Sequence, residues 1–170
     1  MKRLAALTGL AAAVCASASA GAALHPTWCR GTQLKASFAV VPGSAGAGNI
    51  VYRLRVANVS GSSCALTGLP RAQLLGKTKR ALPTHVVAAH PTMLTSVLVT
   101  LAHGQAATAD ARFSPDVPGP GEGHAGGTCE PRAYWLRVTG PGGGTTLAVV
   151  KPPTPVCEHG RLQFDAYTKK

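Results

Sequence analysis

This 170-residue chain contains five cysteines, and their residue type allows several kinds of chemistry: Cys15, Cys29, Cys64, Cys129 and Cys157. A cysteine can ligate a metal, act as a nucleophile or form a disulfide. The spacings after Cys29 are 35, 65 and 28 residues, and none matches the close ligand pairs of zinc sites. Cys64 lies in the turn-rich run NVSGSSCALTGLP, with no histidine nearby in sequence to activate it. Disulfides are therefore the favoured interpretation.

Other sequences that resemble functional motifs lack the context that their chemistry needs. GEGHAG, at 121–126, fits the letters GxGxxG, but a dinucleotide site requires a preceding strand and a helix directly after the motif. GTCEPR follows instead, so we expect a flexible surface loop. NVS at Asn58 is formally a glycosylation sequon, yet Asn58 is expected to cap the turn through its side chain.

Histidines and carboxylates give no catalytic or metal pattern. His85 and His90 lie five residues apart, which on a strand places their rings on opposite faces. The six carboxylates form no obvious acid–base pair, and the chain has no GxSxG nucleophile elbow. We therefore expect no catalytic, cofactor-binding or metal-binding residue and no enzymatic activity.

The N-terminus has the pattern of a secretory signal peptide. Lys2 and Arg3 precede an apolar run at 4–16, which is too short for the roughly 20 residues of a membrane span. Small-residue cleavage sites follow in ASASAGAA, so we predict a signal peptide at 1–22 and a single exported domain at 23–170. No transmembrane span is expected after cleavage. Cys15 follows AAV, a poor lipid-attachment sequence, so a lipid anchor is not expected; a membrane anchor or buried first helix is the alternative for 4–16.

The remaining chain alternates between apolar and polar residues, as half-buried strands do. In IVYRLRV the even-numbered residues from Ile50 to Val56 are apolar, and Arg53 and Arg55 lie on the opposite face. Similar runs occupy 34–40, 96–101, 106–113, 134–138, 145–150 and 162–167, with weaker ones near 72–76 and 84–88. Turn clusters separate them, and 20 Gly and 13 Pro leave little room for long helices. The pattern predicts an all-β, antiparallel β-sandwich of seven to nine strands.

Four cysteines stay after signal removal, and an even count in an exported chain indicates disulfides. Residues equidistant from the centre of a β-hairpin face each other. The midpoint between Cys129 and Cys157 is position 143, inside the GPGGG turn, and that between Cys29 and Cys64 falls inside PGSAGAG. We therefore predict Cys29–Cys64 and Cys129–Cys157 over the other two connectivities, with each bond contributing about 3 to 4 kcal/mol.

The chain is strongly basic, with 17 Lys and Arg against 6 Asp and Glu, for a net charge of +11. Loss of Lys2 and Arg3 with the signal would leave +9. Such a charge favours anionic partners such as cell-wall polymers or acidic lipid headgroups, although the cations are scattered along the sequence and solubility alone is an equal alternative. Nucleic acid is not expected, because no recognition motif is present and only eight aromatic residues are available for stacking.

The chain also resembles a known family. WCRGTQL, NVSGSSCALTGLP, VTLAHGQAATADARF and the final VCEHGRLQF are similar to the actinobacterial domain of unknown function 4232, over about 28–164. The most specific positions are Asn58, Cys64, Leu66, Gly68, Pro70, Leu101, Gly104 and Ala107. The resemblance implies a secreted or lipid-anchored envelope protein with an immunoglobulin-like sandwich, and it implies no activity. The chain lacks the lipid-attachment sequence and the Thr/Ser/Pro-rich linker of that family.

Three functions are therefore compatible with the sequence. The first is a non-catalytic envelope-associated binding or structural module that contacts anionic cell-wall material or another exported protein. The second is an inhibitor or regulator of an exported enzyme, which would present a rigid, disulfide-held loop. The third is an enzyme with a site assembled from distant loops, which would need a pocket with converging polar groups.

Overall fold

A computed structural model describes residues 26–93, 98–122, 129 and 131–169 of the chain. The described residues are mostly β-structure, with short 3₁₀ turns at Gly31–Gln33 and Pro91–Met93 and one tight helical turn, α1, at Cys157–Gly160. The strands are β1 (Leu34–Val40), β2 (Ile50–Asn58), β3 (Cys64–Thr67), β4 (Arg71–Leu75), β5 (His85–Ala88), β6 (Leu98–Leu101), β7 (Ala106–Phe113), β8 (Ala133–Thr139), β9 (Thr145–Thr154), β10 (Arg161–Phe164) and β11 (Thr168–Lys169).

Most strands belong to one sheet, in the order β4-β8-β9-β1-β2-β7-β10-β5, with β11 beside β7. Two of its ladders are parallel: β1 with β9, and β10 with β5. The expectation of a purely antiparallel sheet is therefore wrong. Residue alternation has the same period in both kinds of ladder, so the sequence pattern could not distinguish them. The sheet is mixed and nearly closes into a barrel, and it does not divide clearly into the two sheets of an immunoglobulin-like sandwich.

The predicted alternation of β2 is confirmed. Tyr52, Leu54 and Val56 are completely buried, whereas Arg55 is exposed and Arg53 is partly exposed. β2 is paired along most of its length on both sides, with β1 and with β7. Its inward residues consequently lie at the centre of the hydrophobic core.

The structure confirms some of the predicted strands in full and others in part, and it adds the strand β3. The predicted strands at 34–40 and 106–113 match β1 and β7. Of the predicted strand at 162–167, only Leu162–Phe164 belongs to β10, and part of the one at 96–101 lies outside the described residues. β3 was not predicted as a strand, because it lies within the turn-rich run NVSGSSCALTGLP. It pairs with β6 in a separate two-stranded sheet.

Both predicted disulfides are confirmed. Cys29 bonds Cys64, and Cys129 bonds Cys157, each with 4.8 Å between Cα atoms. The second bridge closes the open end of the β8–β9 hairpin, as expected. The first does not extend the β1–β2 ladder: the segment around Cys29 lies parallel to β3, where the Cys29 N–H donates to the Ala65 carbonyl at 3.0 Å. Cys29 and Cys64 are therefore paired as predicted, but their local geometry is not that of a β1–β2 hairpin end.

Two disulfides indicate an extracytoplasmic domain. In the part of the chain that the structure describes, no helix is long and apolar enough to cross a membrane. The predicted signal peptide at 1–22, including Cys15, lies outside the described residues and stays a prediction.

Replacement of two adjacent β2 residues tests the register of this strand. Leu54→Ala should lower the free energy of unfolding by about 2 to 5 kcal/mol, because it leaves a cavity at a fully buried position. Arg53→Ala should cost about 1 kcal/mol or less, because it removes a half-exposed ion pair. Urea unfolding measures both. Equal losses would show that the assigned faces of β2 are wrong.

Candidate functional site

The outer face of the main sheet carries positive charge without compensating acidic residues along five of its strands. β1, β2, β4, β8 and β9 contain no Asp or Glu. They carry six cations, namely Lys35, Arg53, Arg55, Arg71, Arg137 and Lys151. Arg53 is partly exposed, and the other five are exposed. We call the exposed cations of these strands, with those of the 76–80 turn, the basic surface. The residues that form it are distant in sequence, and strand pairing brings them to one side of the sheet.

An apolar strip crosses the basic surface. Trp135 lies opposite Val149, and Arg137 lies opposite Leu147, in the β8–β9 ladder. Residues directly opposite one another share a face of the sheet. Leu147 and Val149 are 40% and 41% exposed, values that place two large aliphatic groups in solvent beside a cation. The surface is therefore amphipathic rather than uniformly charged.

The turn 76–80 adds three more cations at the end of β4. The Gly76 N–H donates to the Arg80 carbonyl at 2.9 Å, and the Lys79 N–H donates to the Gly76 carbonyl at 3.0 Å. Lys79 adopts a left-handed conformation, and its Nζ lies 5.0 Å from the centre of the Trp135 ring. This cation–π contact joins the KTKR loop, residues 77–80, to the apolar strip.

Arg53 marks the border of the basic surface. Its Nε and Nη2 donate to the two carboxylate oxygens of Asp110 on β7, at 2.7 and 2.6 Å. These hydrogen bonds, and the attraction of the Asp110 charge, raise the pKa of Arg53. Asp110 therefore neutralises this cation, and on the far side of β7 a second carboxylate, Asp165, directly follows β10.

Asn58 anchors the loop that leads to Cys64. Its buried Nδ2 donates to the Ser62 carbonyl at 2.7 Å and to the Leu101 carbonyl at 2.9 Å. Its Oδ1 accepts from the Ser60 N–H and hydroxyl at 2.9 and 2.7 Å. The predicted turn-capping role is confirmed. Because this side chain is fully buried, it could not receive a glycan in the folded protein.

A buried carboxylate occupies a cluster of main-chain donors at α1. Glu158 and His159 both have left-handed φ and ψ angles, which point successive N–H groups into one concavity. The Glu122 side chain, only 4% exposed, accepts from these two N–H groups and from the Gly119 N–H. Burial by itself would raise the pKa of Glu122, but the three donors and His159 outweigh it, so its pKa is lowered. A lowered pKa is the opposite of what a general acid requires.

The histidines of the described residues are not gathered with other ligands. His90 Nε2 lies 3.8 Å from Asp165 at a groove of about 240 Å³, and both side chains are largely exposed. No group of three or more His, Cys, Asp or Glu in the described ranges could hold a metal ion. Most of the GEGHAG motif, with His124, lies outside the described residues.

Comparison with known proteins identifies the family. Residues 29–168 match the family described as Domain of unknown function (DUF4232). The chain belongs to this family. No curated protein and no solved structure matches it.

In this DUF4232 domain, two of the positions that carried the resemblance have structural roles. Asn58 holds the loop at 59–62, and Cys64 forms the disulfide that joins this loop region to Cys29. The basic surface was not predicted as a site, because its cations are scattered in the sequence. The alternation of β2, in which Arg53 and Arg55 lie outward, and that of β1, in which Lys35 lies outward, gave local signals of it.

Removal of the Asn58 side chain tests its role as an anchor. Asn58→Ala would leave the carbonyls of Ser62 and Leu101 and the Ser60 N–H without this hydrogen-bond partner. A buried polar group that is left unsatisfied lowers the free energy of unfolding by about 1 to 3 kcal/mol. We expect a loss near the upper end, about 3 kcal/mol, in thermal or urea unfolding. Val59→Ala, at a neighbouring position that is 51% exposed, is the control. Similar small losses in both variants would contradict an anchoring role.

Glu122 should make stability depend on pH in the acid range. Because its pKa is lower in the folded state than the ordinary 4.5, folding favours the ionised form. This contribution is complete above pH 4.5 and is lost as the pH falls through the folded pKa. Glu122→Gln should therefore be less stable than the parent at neutral pH, with a difference that narrows in acid. Urea midpoints at several pH values measure this, with Asp116→Asn as the control in an exposed loop. A difference that is constant with pH would contradict the assignment.

Proposed function

We propose that this domain is a non-catalytic, exported binding module that contacts an anionic polymer of the cell envelope through the basic surface. The observation that carries the proposal is the segregation of charge. Five strands of one sheet carry six cations and no acidic residue, and a sixth strand, β7, supplies the Asp110 that limits this area.

The cations of the basic surface are available for a partner. Within the described ranges, the salt bridges involve Arg53, Arg161, His90 and His159 but none of the exposed cations of the surface. Like charges so arranged repel one another, and a bound polyanion would relieve that repulsion. Because the charges spread over a broad face, they suit a flexible polymer with repeated negative groups better than a single small anion.

The apolar strip gives the basic surface a second mode of contact. Trp135, Leu147 and Val149 lie between the cations of β8, β9 and the 76–80 turn. A polymer with apolar faces between its charges would cover these side chains while its anionic groups meet Arg137 and Lys151. We therefore expect charge to dominate at low salt and a weaker apolar contribution to persist at high salt.

The other functions predicted from the sequence have less support. A loop-assembled enzyme would use a groove such as that at His90 and Asp165, but both side chains there are largely exposed to solvent. An inhibitor would present a disulfide-held loop, and residues 123–128, next to Cys129, lie outside the described residues. For the fold, we retain the immunoglobulin-like arrangement implied by the family only as a proposal, supported by the hairpins β1–β2 and β8–β9 around a shared core.

Retention on isolated cell wall across a salt series tests the proposal. The Debye length falls from about 10 Å at 0.1 M salt to about 3 Å at 1 M, so retention should fall steeply over that range. Arg137→Gln with Lys151→Gln should reduce retention at low salt. Arg112→Gln with Lys169→Gln, which removes the same charge from other strands, should reduce it much less.

Three results would contradict the proposal. Equal effects of the two double variants would mean that net charge, and not the basic surface, causes retention. Binding that does not change with salt would indicate a specific pocket. Absence of binding at every salt concentration would leave the charge as a solubility feature.

A further inference from the structure

The main sheet stays open between its two end strands, and the opening forms a groove of about 510 Å³. β4 forms one wall and β5 contributes the other, while β8 lies behind β4. We call this the β4–β5 groove, and the residues used below are Leu69, Arg71, Ala72, Val86 and Arg137.

Hydrogen bonds fix one end of the groove. The Leu74 N–H donates to Thr84 Oγ1 at 3.0 Å, and the Leu74 carbonyl accepts from the Leu82 N–H at 3.0 Å. Gln73 Nε2 also donates to Thr84 Oγ1, at 2.8 Å. Beyond this point the strands diverge, because β5 leaves β4 to pair with β10.

The β4 wall carries main-chain groups that no described residue pairs. Successive residues of a strand direct their N–H and C=O groups to opposite edges, so Ala72 faces the same edge as Leu74. Leu74 finds its partners in Leu82 and Thr84, as described above. Among the described residues, no corresponding partner is recorded for the N–H and C=O of Ala72 at that edge. Within the described part of the chain, the edge of β4 is therefore free at Ala72.

The β5 wall has a free edge at Val86 in the same sense, with no main-chain partner among the residues that the structure describes. The Ala89 N–H donates to the Phe164 carbonyl on β10 at 2.9 Å. By alternation, Val87 also faces β10, whereas Val86 directs its main-chain groups away from β10 and lines the groove. Two strand edges that face a common groove are a template for an added strand.

Side chains complete the site with an apolar floor and a positive rim. Leu69, Ala72 and Val86 are partly buried against the hydrophobic core. Arg71 and Arg137 are exposed, and no carboxylate of the described residues lies within ion-pair distance of either guanidinium. A partner that pairs with the free edges would thus bring apolar side chains to the floor and acidic ones to the rim.

We propose that the β4–β5 groove binds a short, extended, acidic segment of another exported protein by strand addition. Main-chain hydrogen bonds to Ala72 and Val86 would supply affinity, and the two arginines would select acidic side chains. The volume lies within the range of about 300 to 1,000 Å³ for small binding sites. At about 3.3 Å per residue, four or five residues of extended chain would cover the described walls. A polymer of repeated anionic groups that lacks a peptide backbone cannot form these main-chain hydrogen bonds, so this occupant differs from the one proposed for the basic surface.

Amide chemical shifts of the ¹⁵N-labelled exported chain, with both disulfides formed, test this inference. The probe is the capped peptide Glu-Val-Thr-Val-Glu, compared with the charge-reversed Lys-Val-Thr-Val-Lys. We expect the acidic peptide to shift the amides of Ala72 and Val86 and to slow their hydrogen exchange, and the basic peptide to have no such effect.

Two variants separate the contributions of charge and main chain. Arg71→Glu with Arg137→Glu should weaken binding of the acidic peptide roughly tenfold or more, since it removes two attractions and adds repulsion. Arg112→Glu with Arg161→Glu, which changes the same charge elsewhere, should have little effect. Ala72→Pro removes the free N–H at an edge where proline is tolerated, so it should abolish peptide binding and leave cell-wall retention unchanged.

Several outcomes would overturn the inference. Shifts confined to Lys151 and Trp135 would place the peptide on the basic surface instead. Equal binding of both peptides, or no shifts at millimolar peptide, would contradict binding of an acidic segment. Arg71 and its neighbours would then serve only to protect an exposed strand edge from unwanted pairing. Concentration-dependent broadening of the Ala72 amide without peptide would show that a second copy of the chain occupies the groove.

Discussion

The two-residue alternation of β2 decides which of its side chains fill the core and which reach the surface. β2 has ladder partners on both sides, and its inward side chains form the centre of the core. The Tyr52 ring lies 5.1 Å from the rings of Phe38 and Phe113, measured between centroids, so three strands meet at this residue. Its hydroxyl donates to the Pro152 carbonyl at 2.8 Å, which adds β9. Burial of Tyr52 forces Arg53 outward, because neighbours on a strand point to opposite faces.

The same geometric rule repeated in neighbouring strands produces the basic surface. In β8 and β9 the burial of Leu136, Val138 and Val150 turns Arg137 and Lys151 toward solvent. The surface is therefore a consequence of how the core is filled, combined with a composition poor in acidic residues. Self-repulsion of such a surface weakens folding slightly, and two disulfides can offset that cost. An exported domain with two disulfides can therefore tolerate a surface on which positive charges are concentrated.

Incomplete closure of the sheet has its own structural cause. Gly160 has φ of 79°, and a Cβ at this position would lie 1.9 Å from the Pro83 carbonyl oxygen. Only glycine allows this approach, and the next residue, Arg161, starts the parallel ladder with His85. The contact holds the start of β5 against β10, and this pairing draws β5 away from β4. The β4–β5 groove therefore results from the path of the backbone and not from a small side chain.

Properties that depend on local pattern could be predicted from the amino-acid sequence. Strand faces such as that of β2 followed from alternation, the β8–β9 bridge followed from hairpin symmetry, and the turn role of Asn58 followed from its neighbours. The sequence did not determine ladder direction, because parallel and antiparallel strands alternate alike. β3 was missed because its burial comes from a partner strand and from Cys29, not from its own pattern. Strand order placed Arg71, Arg137 and Lys151 on one face and brought Ala72 and Val86 to one groove. These relations join residues far apart in sequence, and local composition does not encode them.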